Sequence, residues 1–153
     1  MTDGFAVRSR DGHLRPGRLT QVVFIVHGLV TFAAAIVLVA VPGLIPATIG
    51  VDLEASHYVL SYFLAAAELA IAVLSIGACW LTDPSSLILI AWVFVVFHLS
   101  TAALEIGYLS FSGMIPVLVG NIAVRAVAAV LFAAIAVDVA RRRSTARAQT
   151  IER

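Results

Sequence analysis

Residues 58–81 read YVLSYFLAAAELAIAVLSIGACWL, twenty-four positions with a single formal charge, Glu68, near the middle. A run this long exceeds the roughly 20 residues with which an α-helix crosses a hydrocarbon core about 30 Å thick. The stretch also carries a finer pattern. Ser61, Ala65, Glu68, Ala72, Ser75 and Cys79 follow a 4-3-4-3-4 spacing, which puts them on one face of the helix. All except Glu68 are small, as close helix packing in lipid requires. A membrane helix with such a seam needs neighbours to pack against.

The rest of the chain supplies them. Leu19–Val41, Leu87–Leu109 and Ile115–Ala140 are apolar runs of comparable length. Pro42 and Pro46 end the first, Thr82-Asp83-Pro84-Ser85 follows residues 58–81, and Ser110-Phe111-Ser112-Gly113 divides the last two; these are turn and breaker signals. Only the loop from Pro42 to His57 has room for a short interfacial segment. The composition agrees: 61% of the 153 residues are hydrophobic, 12% are charged, and the mean hydropathy is +1.04, whereas soluble domains carry about 25% charged residues. The expected fold is all-α, an integral membrane four-helix bundle over residues 19–143, with polar tails at 1–18 and 144–153. The opening apolar run is longer than a secretory signal core and reads as a retained helix. The lone Cys79 makes no intrachain disulfide and no thiolate cluster.

Orientation follows from arginine placement. All ten basic residues are Arg. Arg8, Arg10, Arg15 and Arg18 precede the first span, and Arg141, Arg142, Arg143, Arg147 and Arg153 follow the last. The first loop holds Asp52 and Glu54 with no basic residue, and the loop between the third and fourth spans is uncharged. The positive-inside rule puts both termini in the cytoplasm. The Arg141-Arg142-Arg143 cluster reads as a stop-transfer anchor on anionic headgroups rather than a nucleic-acid patch.

The ionisable residues inside the spans carry the functional information: His27, Glu68, His98, Glu105 and Arg125. Charges at the bilayer centre cost roughly 2.5–3.5 kcal/mol each by insertion scales, so they face the bundle interior and mark candidate sites. At 1.5 Å per residue, Glu68 and His98 lie about 20 Å from the inner surface and Arg125 about 24 Å, while His27 lies about 12 Å in. Glu105 falls near the outer end. Glu68, His98 and Arg125 are therefore expected to meet as a buried polar cluster, with Glu68 paired to Arg125. His27, Thr101, Glu105 and Asn121 share their helix faces and form a secondary set. The cluster reads either as an ion pair that fixes helix register or as a binding or proton-handling site. The roughly 8 Å difference in depth between the two histidines argues against a bis-histidine haem. A metal set of Glu68, His98 and Glu105 is opposed by the neighbouring Arg125. No metal or catalytic residue is assigned.

The layout resembles the DoxX-like families of small four-helix bacterial membrane proteins. The residues that carry this are the opening helix from Arg18 to Val41, Pro42-Gly43-Leu44-Ile45-Pro46 with Gly50 before Asp52, and Ala67-Glu68-Leu69-Ala70 followed by Gly77. His98 and Arg125 have no counterpart in the pattern. The resemblance implies a place beside membrane redox or quinone-linked machinery. The expected function is that of a non-enzymatic accessory or interaction subunit of a larger bacterial membrane complex, respiratory or envelope. Its partners would be membrane lipids and other membrane proteins or further copies of itself. Two alternatives stand beside it: a redox or hydrophobic-ligand protein that binds quinone or lipid at Glu68, His98 and Arg125, and a small proton-coupled transporter. No cofactor is evident from the residues.

Overall fold

The computed structural model describes residues 17–151. The chain forms α1 (Arg18–Ala40), a one-turn α2 (Leu44–Ala47), a 3₁₀ turn (Ala55–His57), α3 (Tyr58–Ala78), α4 (Pro84–Ser112) and α5 (Pro116–Ile151). The described residues are helical with no strand, and α1, α3, α4 and α5 are long and apolar enough to cross a membrane. Two short elements occupy the first loop, where the sequence left room for them.

The ends of the elements have local causes. Asp83 caps α4, accepting from the backbone N–H groups of Ser85 at 3.3 Å and Ser86 at 2.8 Å, with Pro84 in the first turn. This cap starts α4 three residues before the apolar run that begins at Leu87. Gly113 ends the same helix with φ +81°, a left-handed conformation that glycine adopts freely. The last helix is longer than its apolar run, which ends at Ala140, because α5 continues unbroken through the polar residues to Ile151. Residues 141–151 contain no Gly or Pro, and Asp138 pairs with Arg142 one turn on, at 2.9 Å. Arg8, Arg10, Arg15 and Arg153 lie outside the described residues.

The four long helices associate as two pairs. α1 packs along α3 and α4 along α5, whereas α3 and α4, joined by a tight turn, touch only lightly. Both main pairs are long helices consecutive in sequence, and only the α3–α4 connection joins helices that do not pack along one another. The α1–α3 seam is the small-residue stripe read from residues 58–81: Ser61, Ala65, Ala72, Ser75 and Cys79 are all buried. Ser61 donates to the Pro42 carbonyl at 2.8 Å, and the Cys79 thiol to the Gln21 carbonyl at 3.7 Å. Gly28 is the closest approach. A β-carbon there would lie 2.5 Å from Ile76 Cγ1 and 3.2 Å from the Ala72 carbonyl oxygen.

The two pairs are joined at the end that holds the α3–α4 turn. Phe24, Phe94 and Phe132, from α1, α4 and α5, are fully buried with ring centroids 4.9–6.1 Å apart. Ala78, Leu87, Ala91, Ile135 and Val139 complete this cluster. Tilted aromatic contacts of this kind add to the packing attraction. In lipid, such close packing holds helices together without an aqueous hydrophobic drive.

Candidate functional site

Directly beyond the aromatic cluster the two pairs part, leaving a cavity of about 490 Å³. Its walls are α1 (Val22, Val26, Val30) and α5 (Val124, Val127, Leu131), whose side chains are also exposed on the outer surface, so the cavity opens sideways between the first and last long helices. Its polar lining comes from all four: His27 and Thr31 of α1, Glu68 of α3, His98 of α4, and Asn121 and Arg125 of α5. The convergence of Glu68, His98 and Arg125, expected from helix periodicity, is present.

The pairing within the cluster differs from the expectation. Arg125 Nε donates to Glu105 Oε1 at 2.9 Å, and Asn121 Nδ2 donates to the same oxygen at 2.6 Å. Glu68 makes no hydrogen bond or ion pair among the described residues, although it lies within reach of the Arg125 charge. The side chains of Arg125 and Glu105 are only 17% and 14% exposed, so this is a largely desolvated pair. The Arg125 guanidinium also lies 5.8 Å from the Phe97 ring centroid, within range of a cation–π contact. Glu105 was expected near the outer end, above the cluster. A long arginine side chain reaches along its helix by more than the few ångströms that separate the two levels, which axial counting overlooks.

The histidines provide a second correction. His27 and His98 were counted about 8 Å apart in depth. Their rings meet edge to face at 5.1 Å, with the two Nε2 atoms 3.1 Å apart. α1 and α4 therefore do not start from a common level. The hydrogen-bond order follows from the donor inventory. The single Ser75 hydroxyl hydrogen goes to the Phe24 carbonyl at 2.8 Å. Its oxygen must then accept from His27 Nδ1–H at 3.0 Å. With both rings neutral, His27 Nε2 is bare and accepts from His98 Nε2–H, which leaves His98 Nδ1 as an acceptor. That atom is buried and has no partner among the described residues. A serine, two neutral imidazoles and a backbone carbonyl thus link α3, α1 and α4 in one chain of hydrogen bonds.

The remaining residues are quickly placed. Thr101 bonds back to the Phe97 carbonyl of its own helix and does not line the cavity. Asn121 holds Glu105 and lines the cavity. Ser75, Phe97 and Phe132 belong to the site but were not singled out as such from the sequence. Asn121, Arg125 and Ala128 share one helix face, and Phe132 continues it by one more step of four, so the signal for it was present. Among the described residues no three or more His, Cys, Asp or Glu side chains lie close enough together to hold a metal ion. The arrangement suits hydrogen bonding to a polar group carried on an apolar body.

No protein-family model, no curated protein and no solved structure matches the chain.

Proposed function

We propose that this chain is a multi-pass protein of a bacterial inner membrane that takes a hydrophobic molecule, a quinone or a lipid, from the bilayer into the cavity between α1 and α5. The observation that carries the reading is the cavity itself. Its volume falls in the roughly 300–1,000 Å³ range of ligand sites, and it combines apolar walls with a few convergent polar groups. The lateral opening faces the phase in which such a molecule dissolves. Glu68, Asn121 and Arg125 at its polar end have hydrogen-bonding capacity that the protein leaves unused.

The test is purification in mild detergent followed by mass spectrometry of the extracted small molecules. One apolar molecule per chain is expected, and Ala128→Phe, which fills the cavity, should lose it. Retention of the same molecule by the filled variant would count against the site, and absence of any such molecule from the parent protein would count against the function.

A second reading concerns the setting. α3 presents Ala66, Ala70 and Gly77 outward, and a β-carbon at Gly77 would meet nothing within 4 Å. Small residues on an outer face are what one membrane helix offers another. This favours an accessory subunit of a larger complex, as the DoxX-like resemblance implies, and co-eluting chains in the same preparation test it. We further propose that both termini are cytoplasmic, on the strength of the Arg141–Arg143 cluster and the acidic first loop. In a cysteine-free background, a cysteine at Ala55 should react with an impermeant reagent on intact cells and one at Ser144 should not. Labelling at residue 144 would reverse the orientation.

A further inference from the structure

We propose that the cavity selects a neutral head group bearing a hydroxyl, which both donates and accepts hydrogen bonds, and turns away phosphate- and carboxylate-headed lipids. This rests on the ligand-binding reading above and names the class of molecule it takes.

The first ground is charge. Arg125 is the sole Arg among the residues lining the cavity, and Glu105 already holds it at 2.9 Å. Glu68 lines the same space with no counter-ion of its own. The Nε2–Nε2 contact at 3.1 Å requires one bare nitrogen, so the two rings are not both charged, and withdrawal from water disfavours charge on the other. The site therefore carries no net positive charge when Glu68 is protonated, and a net negative charge when it is ionised. An anionic head leaving water for this cavity would meet no uncompensated cation to offset its lost hydration. A site without Glu105 would be the reverse, a lone guanidinium at the end of an apolar groove, which is how membrane proteins take anionic headgroups.

The second ground is unfilled valence. A guanidinium has five N–H donors, and Arg125 uses one. Among the described residues, Asn121 spends one of its two amide N–H groups on Glu105 and its side-chain carbonyl oxygen makes no bond; the Glu68 carboxyl makes none either. Donors and acceptors are thus both open on the same lining. A ketone or ester head would satisfy the donors and leave the acceptors bare, which costs free energy wherever water is excluded. A hydroxyl satisfies both. Two sources supply that chemistry, a hydroquinone ring and a neutral lipid alcohol.

The experiment uses the full chain in nanodiscs of phosphatidylcholine and three diazirine photoprobes of equal length, ending in a primary alcohol, a hydroquinone ring or a carboxylate. Adducts are mapped by mass spectrometry at Val26, Val30, Val127 and Leu131, with outward-facing Leu104 as the lipid-exposed control. At least one neutral probe should label the cavity about tenfold more than the carboxylate does. Stronger labelling by the hydroquinone assigns the source to a quinol, and stronger labelling by the alcohol assigns it to a lipid. Glu105→Gln frees the Arg125 charge and should swing the preference toward the carboxylate. Val127→Lys adds a cation at the rim without touching the ion pair, and should swing it the same way even if Glu105→Gln fails to fold. Carboxylate labelling equal to that of the neutral probes in the parent protein would overturn the head-group inference and leave the cavity's ligand-binding role standing. Unchanged ratios in a folded charge variant would overturn it as well. Labelling of the cavity by no probe above the Leu104 level would sink the binding role along with it.

Discussion

The two ends of the bundle solve the same packing problem differently. At the α3–α4 turn, Phe24, Phe94 and Phe132 interlock with Leu87, Ile135 and small residues, and helices from both pairs close on one another. One turn further on, the pairs separate around the cavity, and α4 and α5 are held there by Glu105, Asn121 and Arg125. The closed end is specified by shape, because the side chains that interlock there are hydrophobic and lipid is as apolar as the core. The open end is specified by charge and hydrogen-bond order, because a buried ion with no partner costs more than a packing defect. Rigidity at one end and unused polar capacity at the other is the division expected of a binding site supported by a scaffold.

The largest effect that would break this contrast is at the ion pair. Glu105→Ala leaves Arg125 buried and uncompensated and should cost about 3–5 kcal/mol, as should Arg125→Ala. The double replacement should recover much of the loss. Glu68→Ala should cost far less and show little coupling to Arg125. Unfolding in mixed detergent micelles measures all of these, and strong coupling of Glu68 rather than Glu105 to Arg125 would restore the pairing expected from the sequence.

A smaller effect sharpens the contrast at the closed end. Phe94→Ala removes a fully buried ring and should cost about 2 kcal/mol, below the range in soluble cores because lipid replaces water as the reference phase. Val127→Ala at the cavity rim should be close to neutral by the same measurement. Equal losses at the two positions would mean that the cavity wall is packed as tightly as the aromatic cluster.

The smallest effect is at the α3–α4 turn, outside the spans. The Ser86 hydroxyl, at 2.6 Å, and the Ser86 and Ser85 amides stabilise the ionised Asp83 carboxylate and hold its pKa below the usual value near 3.8. A depressed folded pKa means that the stabilisation is complete above the unfolded value and is lost as pH falls through the folded one. Stability should therefore decline slightly on acidification below about pH 4, and Asp83→Asn should remove that part of the decline. A pH profile unaltered by the substitution would show that the cap contributes nothing through its charge.

Particular residues show how far the sequence could be read. The stripe from Ser61 to Cys79 packs as its spacing required, since a helix face is fixed by local geometry. Glu68, His98 and Arg125 reach one cavity for the same reason, each being a polar residue on the small or inward face of an apolar helix. The continuation of α5 past Arg143 is not legible in the apolar pattern, which ends at Ala140, because Arg- and Ala-rich sequence holds a helix by propensity without an apolar face.

Length, apolar runs and the 3.6-residue period determined by themselves that four helices can cross a membrane and which face of each turns inward, because hydrogen bonding in lipid leaves the backbone hardly any other option. Only the tertiary structure decided which acid Arg125 takes, that His27 meets His98, and that the helix pairs part to leave a cavity. Those outcomes depend on where each helix starts, how far a side chain reaches along its axis and how the pairs lean on one another. A one-dimensional count along separate helices holds none of these quantities.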